Sequence, residues 1–389
     1  MEEWKEYKYI DLATIIGGGT PKTSVPEYWN GEIPWLSVKD FVSVAKYVYS
    51  SEKHISELGL LNSSTKLLEK NDIIISARGT VGAVAMIPCP MCFNQSCFGL
   101  RGNGIVDKNF LYYLTRTKID ELKQSAHGSV FDTITKETFD NLLCLVPPLQ
   151  LQQKIGKFLS SLDSKIEINQ RINDNLEQQA QVLFNHYFVD TPEILGDCTV
   201  GNLTDIASYL NGLAMQKYRP TTNDAGIPVL KIKELGQGKV DEHSDQCSEN
   251  IDSQYKVDNG DVIFSWSGTL MVKIWCGGEC GLNQHLFKVT SEKYPKWFYY
   301  FWTLHHLKKF IHIAQDKAVT MGHIKRSELE KSEVLIPSNK KLIEIDKIIS
   351  PLLAKIIALQ TECLNLTALR DTLLPKLMSG EVEINKINN

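Results

Sequence analysis

The sequence contains one long pattern twice. NDIIISARGT at 71–80 returns as GDVIFSWSGT at 260–269, which lies 189 residues later. At the same separation, Asn94-Gln95 returns as Asn283-Gln284. A repeat of this length is typical of two copies of one folding module. The chain is therefore expected to make one kind of contact at two places.

The composition favours a protein of more than one domain that stays out of membranes. The chain has 389 residues, of which 43% are hydrophobic, and this length predicts two to three domains. The longest apolar runs are as short as strands and are interrupted by charges. The opening MEEWKEYKYIDL lacks the basic start and apolar stretch of a secretion signal. We expect a cytoplasmic protein without a membrane segment.

The net charge of −4 does not by itself indicate a nucleic-acid-binding protein. A strongly basic domain is the usual electrostatic footprint of that class. Overall charge does not exclude basic surfaces on an otherwise acidic molecule, however. Any contact with nucleic acid is therefore expected to be local.

The nine cysteines do not indicate a disulfide framework, because their number is odd and the chain is long. Cys89 and Cys92 form a CxxC pair, and Cys276 and Cys280 form a CxxxC pair in the corresponding part of the second copy. Neither pair has a second pair nearby at the spacing of a zinc finger or ribbon. Two interpretations stay open, a shared zinc site or small buried hydrophobic residues.

Local patterns predict the same order of elements in each copy, a mixed region followed by a long helix. Short apolar runs bounded by turn residues predict strands, and glycine-rich segments predict loops. The predicted strands are Asp72–Ser76 and Cys144–Val146, the predicted helices include Phe110–Leu114 and Trp297–Leu307, and the predicted loops include Gly17–Pro21 and Arg101–Gly104.

The long helix of each copy carries a heptad pattern. From Leu149 to Phe188 there is no proline and a single glycine, and apolar residues recur at alternating steps of four and three. The same pattern returns 190 residues later. Because the chain must return through a whole domain between the two helices, we expect them to pair antiparallel. The predicted seam comprises Ile155, Leu159, Leu162, Ile166, Leu176, Leu183, Ile345, Ile349, Leu352, Ile356, Leu359, Leu366 and Leu373.

The seam also contains the polar residues Asn169, Asn173 and Arg370. We interpret them as exposed ends of an imperfect seam, and the alternative is that a buried asparagine fixes the register of the pair. Ser350-Pro351 resembles an N-cap followed by proline at the first helical position. It predicts a kink or a short break in the second helix.

Catalytic motifs are missing from the sequence. Gly17–Thr23 is glycine-rich but has neither the spacing of a P-loop nor its Lys-Ser/Thr pair. No GxSxG or HExxH motif occurs, and Val146–Leu149 lacks the polar first residue of the Asn/Asp-Pro-Pro-aromatic motif of adenine methyltransferases. The chain is therefore not expected to catalyse a reaction.

The remaining polar residues and glycines of the two copies suit recognition of DNA. Hydroxyl residues and glycine follow a strand in both copies, and hydroxyls and backbone N–H groups suit phosphate oxygens. Asn and Gln amides suit adenine, and Arg78 suits guanine. The alternative is a tight turn whose side chains are satisfied within the protein. The candidate DNA-binding residues are Thr20, Lys22, Thr23, Lys39, Ser76, Arg78, Thr80, Asn94, Gln95, Lys217, Arg219, Lys231, Lys233, Ser265, Ser267, Thr269, Asn283, Gln284, Lys325 and Arg326.

These features together resemble the specificity subunit of type I restriction-modification systems, and the resemblance covers nearly the whole chain. Each motif is weak alone, but their order and duplication are specific. The motifs are GGTPKT with Tyr28-Trp29 and IPW at 33–35, SARGTVG at 76–82, VPPLQLQQKI at 146–155, NLEQQAQVLF at 175–184 and LRDTLLPKLMSGEV at 369–382.

The resemblance implies an α+β fold in which two homologous mixed α/β target-recognition domains are separated by two long antiparallel helices that form a coiled coil. The expected boundaries are 1–148 for the first recognition domain, 149–189 for the first spacer helix, 190–337 for the second recognition domain, 338–380 for the second spacer helix and 381–389 for a C-terminal tail.

The resemblance also implies the partners. Such subunits bind double-stranded DNA, two methyltransferase subunits and two translocating restriction subunits, and no membrane. They hold no cofactor, because S-adenosylmethionine, ATP and Mg²⁺ belong to the partner subunits. Each recognition domain binds one half of a bipartite target, and the helices set the spacer. From the apolar residues that lie off the seam, such as Ile168, Ile172 and Phe184, we expect the helices also to dock the methyltransferases.

The second module has NGLAMQKYRP at 211–220 in place of GGTPKTSVPEYW, which we interpret as recognition of a different half-site.

Two alternatives belong to other functional classes. A coiled-coil adaptor whose mixed domains bind proteins would show the same repeat and helices. A self-contained DNA methyltransferase would also contact DNA, but the isolated chain would bind S-adenosylmethionine without a partner subunit.

Overall fold

The computed structural model describes residues 4–42, 46–126, 133–222, 224–316 and 322–384. The chain divides into two compact units, Met1–Glu167 with Leu366–Asn389, and Ile168–Asn365. The predicted segments 1–148, 190–337 and 381–389 each include some residues outside the described ranges.

The first unit begins with short strands and helices that alternate. They are β1 (Lys5–Lys8), α1 (Tyr9–Leu12), β2 (Ala13–Gly17), β3 (Trp29–Leu36), α2 (Val38–Phe41), β4 (Lys53–Ile55), α3 (Glu57–Leu61), β5 (Ile73–Ser76), β6 (Val84–Met86), β7 (Cys92–Phe93), β8 (Cys97–Gly102), α4 (Lys108–Thr117), α5 (Ile119–Ala126), α6 (Lys136–Asp140) and β9 (Leu143–Val146). The first long helix, α7, follows at Leu149–Asn185 and continues into a π-helical turn at His186–Asp190.

The second unit repeats this order. Its elements are β10 (Cys198–Asn202), α8 (Leu203–Ile206), β11 (Ser208–Asn211), β12 (Ile227–Leu230), α9 (Ile232–Gln237), β13 (Gln246–Cys247), β14 (Lys256–Val257), β15 (Val262–Ser265), β16 (Met271–Ile274), β17 (Cys280–Leu282), β18 (Leu286–Thr290), α10 (Lys296–Asp316), α11 (Arg326–Glu330) and β19 (Glu333–Pro337). The second long helix, α12, occupies Asn339–Ser379.

Both units build their sheets on one plan. The antiparallel order β2-β8-β5-β6 of the first unit returns as β11-β18-β15-β16 in the second. A second sheet in each unit contains one parallel pair, β3 with β7 and β12 with β17. Ser76 lies opposite Cys97, and Ser265 lies opposite Leu286, so the register is also repeated. The predicted fold class, with two mixed α/β modules and two long helices, is confirmed.

The first unit has a core that the C-terminal end of the chain completes. Leu374, Leu377 and Met378 from α12 are buried together with Ile155 and Leu159 from α7 and with side chains of α4 and β5. Apolar burial of this kind is the main force that holds an amphipathic helix in place. Folding of the first unit therefore requires residues from both ends of the sequence.

Within each unit, segments of α7 and α12 pair antiparallel. In the first unit, Asp163 bonds Arg370. In the second unit, Asn169 is hydrogen-bonded to Glu362, and Glu177 to Gln360. The residue number of the α12 partner therefore falls as the α7 residue number rises. Of the predicted seam residues, Ile155, Leu159, Leu162, Ile166, Ile345, Ile349, Ile356 and Leu359 are buried, whereas Leu176, Leu183, Leu352, Leu366 and Leu373 are partly buried.

The polar seam residues are not exposed ends, and that interpretation is wrong. Asn169, Asn173 and Arg370 are 0%, 5% and 7% exposed. The heptad spacing gave the right positions on the helix, but it could not show that the opposite helix supplies polar partners for Asn169 and Arg370. Glu362 accepts a hydrogen bond from Asn169 Nδ2 at 2.9 Å, and Asp163 pairs with Arg370.

Some predicted element boundaries also need correction. Helix α12 continues through Ser350-Pro351, so the expected break is absent, and Ser350 Oγ donates to Asp346 Oδ1 one turn earlier at 2.5 Å. Gly17 closes β2, and Arg101 with Gly102 closes β8, so both predicted loops are partly strand. The remaining predicted strands and helices are found at their expected places. Among the helices that the structure describes, none combines the length and hydropathy needed to cross a bilayer.

Replacing Leu377 tests the contribution of the C-terminal segment to the first unit. Leu377 is fully buried, and Leu→Ala changes in cores cost about 2–5 kcal/mol because a cavity remains. We expect Leu377→Ala to lower the free energy of unfolding by that amount in circular-dichroism denaturation. The matched variant Leu369→Ala, at a position 46% exposed, should change it by about 0.5 kcal/mol. Equal effects of the two variants would contradict this packing.

His306 makes the stability of the second unit depend on pH. Burial lowers the pKa of His306 to about 4, and its Nε2 lies 2.8 Å from the Glu333 carbonyl oxygen. Between pH 6.5 and about 4 the unfolded chain binds a proton that the folded state does not, so stability is lost as pH falls. His306→Gln should flatten that loss in melts across this range, while His243→Gln, at an exposed position, should not. Parallel curves for His306→Gln and the unchanged protein would refute the assignment.

Candidate nucleic-acid interface

An open cleft of about 520 Å³ in the first unit collects several predicted residues. It lies where β3, α2, the turn after β5 and the loop before β8 meet. Of the candidate DNA-binding residues it is lined by Lys39, Arg78, Thr80 and Asn94. Trp35, Asp40, Glu52 and Lys53 also line it. The sequence motifs from three separate segments therefore form one concave surface.

The turn after β5 is braced from within. The Ser76 hydroxyl donates to the Thr80 carbonyl at 2.5 Å and accepts from the Ala83 N–H at 2.8 Å. Gly79 has a φ of 77°, which favours glycine. Ser76 is fully buried by this arrangement, whereas Arg78 and Thr80 are exposed at the tip of the turn. The structure therefore places Arg78 and Thr80, and not Ser76, within reach of a ligand.

Asn94 connects the cleft to the sheet behind it. Its N–H donates to the Leu36 carbonyl at 2.9 Å, and its Oδ1 accepts from the Ser96 N–H at 3.0 Å. A Cβ on Gly18 would lie 2.1 Å from the Asn94 carbonyl oxygen, which explains a glycine there. The neighbouring Gln95 is exposed, and its Oε1 accepts a hydrogen bond from the Thr20 hydroxyl.

The charges in this cleft are mixed. Lys39, Lys53 and Arg78 are cationic, and Asp40 and Glu52 are acidic. Asp40 is occupied by the fold, because it accepts from the N–H groups of Ser37 at 2.7 Å and Glu52 at 2.8 Å. The cations can attract phosphate, and Glu52 can accept a hydrogen bond from the amino group of a base.

The second unit has a corresponding cleft of about 690 Å³. The Asn283 N–H donates to the Leu230 carbonyl at 3.2 Å, and Asn283 Oδ1 accepts from the His285 N–H at 3.2 Å. A Cβ on Gly212 would lie 2.3 Å from the Asn283 carbonyl oxygen. This geometry repeats that of Asn94 and Gly18. Of the candidates, Arg219, Lys231, Lys233, Asn283 and Gln284 line the second cleft.

Two lysines of the second cleft already have acidic partners. Lys231 pairs with Asp245, and this hydrogen bond is the main cause that lowers the pKa of that carboxyl. Lys233 Nζ lies 3.3 Å from Asp241 Oδ2. Arg219 is exposed at the rim. Of these three cations, Arg219 is therefore the most accessible to an anionic ligand.

Several candidate residues lie outside the two clefts. Ser265 is buried, and its hydroxyl donates to the Thr269 carbonyl at 2.8 Å, so it braces a turn as Ser76 does. Ser267 is 6% exposed. Thr23 lines a smaller hollow of about 290 Å³ beside Trp29. The exposed candidates that line none of the described hollows are Lys22, Gln95, Lys217, Thr269, Lys325 and Arg326.

The structure adds residues that the sequence did not single out. One of them is Trp266, which stands where the first copy has Ala77. The Trp266 Nε1 donates a hydrogen bond to Asn211 Oδ1 at 2.9 Å, and the ring centre of Trp266 lies 6.1 Å from that of His285. Glu52, Lys53 and Gln246 enter the clefts from strand ends or loops without a motif. Only Trp266 carried a sequence signal, since it interrupts an otherwise matched segment.

The cysteine pairs differ in their surroundings. Cys89 is exposed, whereas Cys92, Cys276 and Cys280 are buried. Burial raises the pKa of the Cys92 thiol to about 11 and that of Cys280 to about 12, which keeps both protonated at neutral pH. Metal-ligating thiols are deprotonated. Within the described ranges, no group of three or more His, Cys, Asp or Glu side chains gathers as a metal site.

Comparison with known proteins gives consistent matches. Residues 1–178 and 196–367 match the family described as the type I restriction modification DNA specificity domain. The chain is 29% identical to the type I restriction enzyme MjaIX specificity subunit of Methanocaldococcus jannaschii, over 99% of this chain and 95% of that protein. It is 30% identical to the EcoR124I/EcoR124II specificity subunit of Escherichia coli, over 48% of this chain and 46% of that protein.

A solved structure shares the fold. The crystal structure of the S subunit of a type I restriction-modification system from M. genitalium superposes with a TM-score of 0.60 at 16% sequence identity. The superposition covers 97% of this chain and 96% of that one. Two mixed modules with two long helices are therefore an architecture that already occurs in a solved protein.

Proposed function

This chain belongs to the type I restriction-modification DNA specificity family, and on that basis we propose that it selects the DNA sequence on which such a complex acts. The resemblance inferred from the sequence motifs is thereby confirmed. A specificity subunit is a recognition subunit and not the catalyst of the complex. S-adenosylmethionine, ATP and Mg²⁺ would accordingly be held by two methyltransferase and two restriction subunits.

The repeated cleft is the observation that carries the proposal to particular residues. In the first unit, Asn94, the exposed cations Lys39 and Arg78 and the Gly79 turn line one concave surface. In the second unit, the Asn283-Gln284 pair and the exposed cations Arg219 and Lys233 line the corresponding surface. Two such surfaces with different side chains suit two different half-sites. In the first cleft, Arg78 is proposed to contact guanine and Lys39 a phosphate; in the second, Arg219 and Gln284 take the base contacts.

The long helices are proposed to set the spacer and to dock the methyltransferase subunits. Ile168, Ile172 and Val182 are 53%, 40% and 66% exposed on α7, although Leu, Ile and Val usually bury most of their surface. Phe184, also expected on this docking surface, is fully buried in the core of the second unit, and that expectation is wrong. The exposed aliphatic residues of α7 remain as the proposed contact.

Replacing Arg78 tests direct recognition by the first cleft. In the complex assembled with its methyltransferase subunits, Arg78→Gln should weaken binding to the motif by about 1–3 kcal/mol and relax specificity at one base of one half-site. The motif is first mapped by methylome sequencing, and affinities are then measured on duplexes with every base substituted singly. Lys70→Gln, at an exposed position outside the cleft, should leave all affinities unchanged.

The second cleft supplies the matched comparison. Arg219→Gln should alter the preference in the other half-site and leave the first unchanged, because it lies in the other unit. If Arg78→Gln instead lowered the affinity equally for all duplexes, and reduced the slope of log affinity against log salt concentration by about one, Arg78 would contact phosphate only. Unchanged binding by both variants would contradict recognition by the clefts.

Shortening both helices tests their role as the spacer. Removing residues 169–175 and 359–365 together deletes one heptad from each helix and removes Asn169 with its partner Glu362. At 1.5 Å per residue this shortens each helix by about 10.5 Å, or about three base pairs of B-form DNA. Methylome sequencing should then report the same half-sites with a shorter unread spacer.

Deleting four residues from each helix is a smaller step that should also shorten the recognised spacer and leave the half-sites unchanged. A coiled coil absorbs a change of four residues by locally altered winding. If the one-heptad deletion instead changes the half-sites, or leaves the spacer length unchanged in an active complex, the helices do not set the spacer.

A further inference from the structure

The first unit contains a buried ion pair between the two long helices. Arg370 Nη1 of α12 lies 2.6 Å from Asp163 Oδ1 of α7, and the two side chains are 9% and 1% exposed. The hydroxyl of Tyr113 donates to the second oxygen of Asp163. Asp371, which is half-exposed, also accepts from Arg370 at 2.8 Å. The seam of this unit therefore has a charged centre.

Burying charged side chains in a helix seam costs free energy, because the charges lose their contact with water. Burial acts to lower the pKa of Arg370, and the hydrogen bonds to Asp371 and Asp163 outweigh it and raise the pKa. A buried pair of this kind is often no more stable than apolar residues of the same volume, but a buried charge without its partner is strongly destabilising. The pair therefore penalises any arrangement that separates Asp163 from Arg370.

The second unit fills the equivalent positions with apolar residues. At the helix spacing of 190, Asp163 corresponds to Leu353 and Arg370 to Ala180. Tyr113 corresponds to Phe301, two positions before Thr115 and Thr303, whose hydroxyls bond Tyr9 and Tyr209 in the same way. Phe301, Leu353 and Ala180 all lie in one buried cluster. The same three positions are thus polar in one unit and apolar in the other.

We propose that Asp163 and Arg370 form a pairing code, through which α7 accepts the second helix of this chain and rejects a like helix from a second copy. At their apolar positions the two seams are interchangeable, since Ile155 and Ile166 correspond to Ile345 and Ile356. Apolar packing therefore does not distinguish α12 from another α7.

The repeat gives the consequence of each wrong pairing. In an antiparallel pair of two α7 helices, each Asp163 faces Ala180 of the other copy. In a pair of two α12 helices, each Arg370 faces Leu353. Either arrangement breaks the Asp163–Arg370 ion pair, so that Asp163 retains the Tyr113 hydroxyl and Arg370 retains the half-exposed Asp371, and only the pairing of α7 with α12 forms the ion pair.

A second polar contact, in the second unit, has the same property. Asn169 is fully buried, and its Nδ2 donates to Glu362 at 2.9 Å. The equivalent positions are Leu359 and Ile172, which offer no acceptor side chain. A like-with-like pair would again leave Asn169 without this partner. Both contacts therefore favour the same unlike pairing.

The test replaces three polar residues of the first unit with the apolar residues that stand at the equivalent positions of the second unit. The full chain with Tyr113→Phe, Asp163→Leu and Arg370→Ala should fold, because Phe301, Leu353 and Ala180 already pack in this way. After refolding at matched concentrations, its dimer fraction in light scattering should exceed that of the unchanged chain at least tenfold. Exchange of α12 between copies is open to both proteins, so an excess reports like-with-like pairing. A folded variant that stays as monomeric as the unchanged chain overturns the proposal.

Opposed charge variants supply an independent measurement. Asp163→Arg and Arg370→Asp each bring like charges together within one chain, whereas a mixture can pair Arg at 163 with Asp at 370 between copies. The mixture, refolded together, should form heterodimers at least tenfold more abundantly than either variant alone forms homodimers. Equal dimer fractions in the mixture and the separate samples overturn the code. This result does not depend on DNA binding and leaves the proposed function untouched.

Discussion

The burial of two helix segments from distant parts of the sequence is the interaction on which each unit depends. In the first unit, Leu374 and Leu377 near the C-terminus complete a core that begins at Tyr9. In the second unit, Phe184 of α7 and Ile345 of α12 lie in one cluster with the aromatic face of α10. Because neither module encloses its core with its own short helices alone, the long helices are structural parts of both units. A change in the helix seam is therefore also a change in the stability of the domains.

The repeat separates what both modules need from what each may vary. The sheet order, the bond from the Asn94 or Asn283 N–H to the strand behind it, and the glycine that approaches that residue are common to both. The side chains around the clefts differ: Arg78 has no counterpart in the second copy, and Trp266 has none in the first. A fixed scaffold with variable cleft residues allows two different ligands to be recognised by one fold.

Much of the fold could be predicted from periodicity, because heptads and short apolar runs report directly on burial. Strand β5, both long helices and the two-module order follow from such patterns. The clefts were only partly predictable. Ser76 and Ser265 have the residue type that suits phosphate, yet the turn uses both hydroxyls internally. Glu52 and Lys53 reach the first cleft because β4 pairs with β3, a long-range contact without a local signal.

The polar seam residues show why a heptad pattern alone cannot tell whether a polar residue is exposed or is buried with a partner. Asn169, Asn173 and Arg370 occupy heptad positions, and a polar residue there is equally compatible with a frayed end and with a buried partner. Only the opposite helix distinguishes the two, and here it supplies Glu362 and Asp163. In a duplicated chain, two related helices with identical seams could each also pair with the same helix of a second copy. On the pairing code proposed above, the divergence of a few buried positions favours the one pairing of α7 with α12.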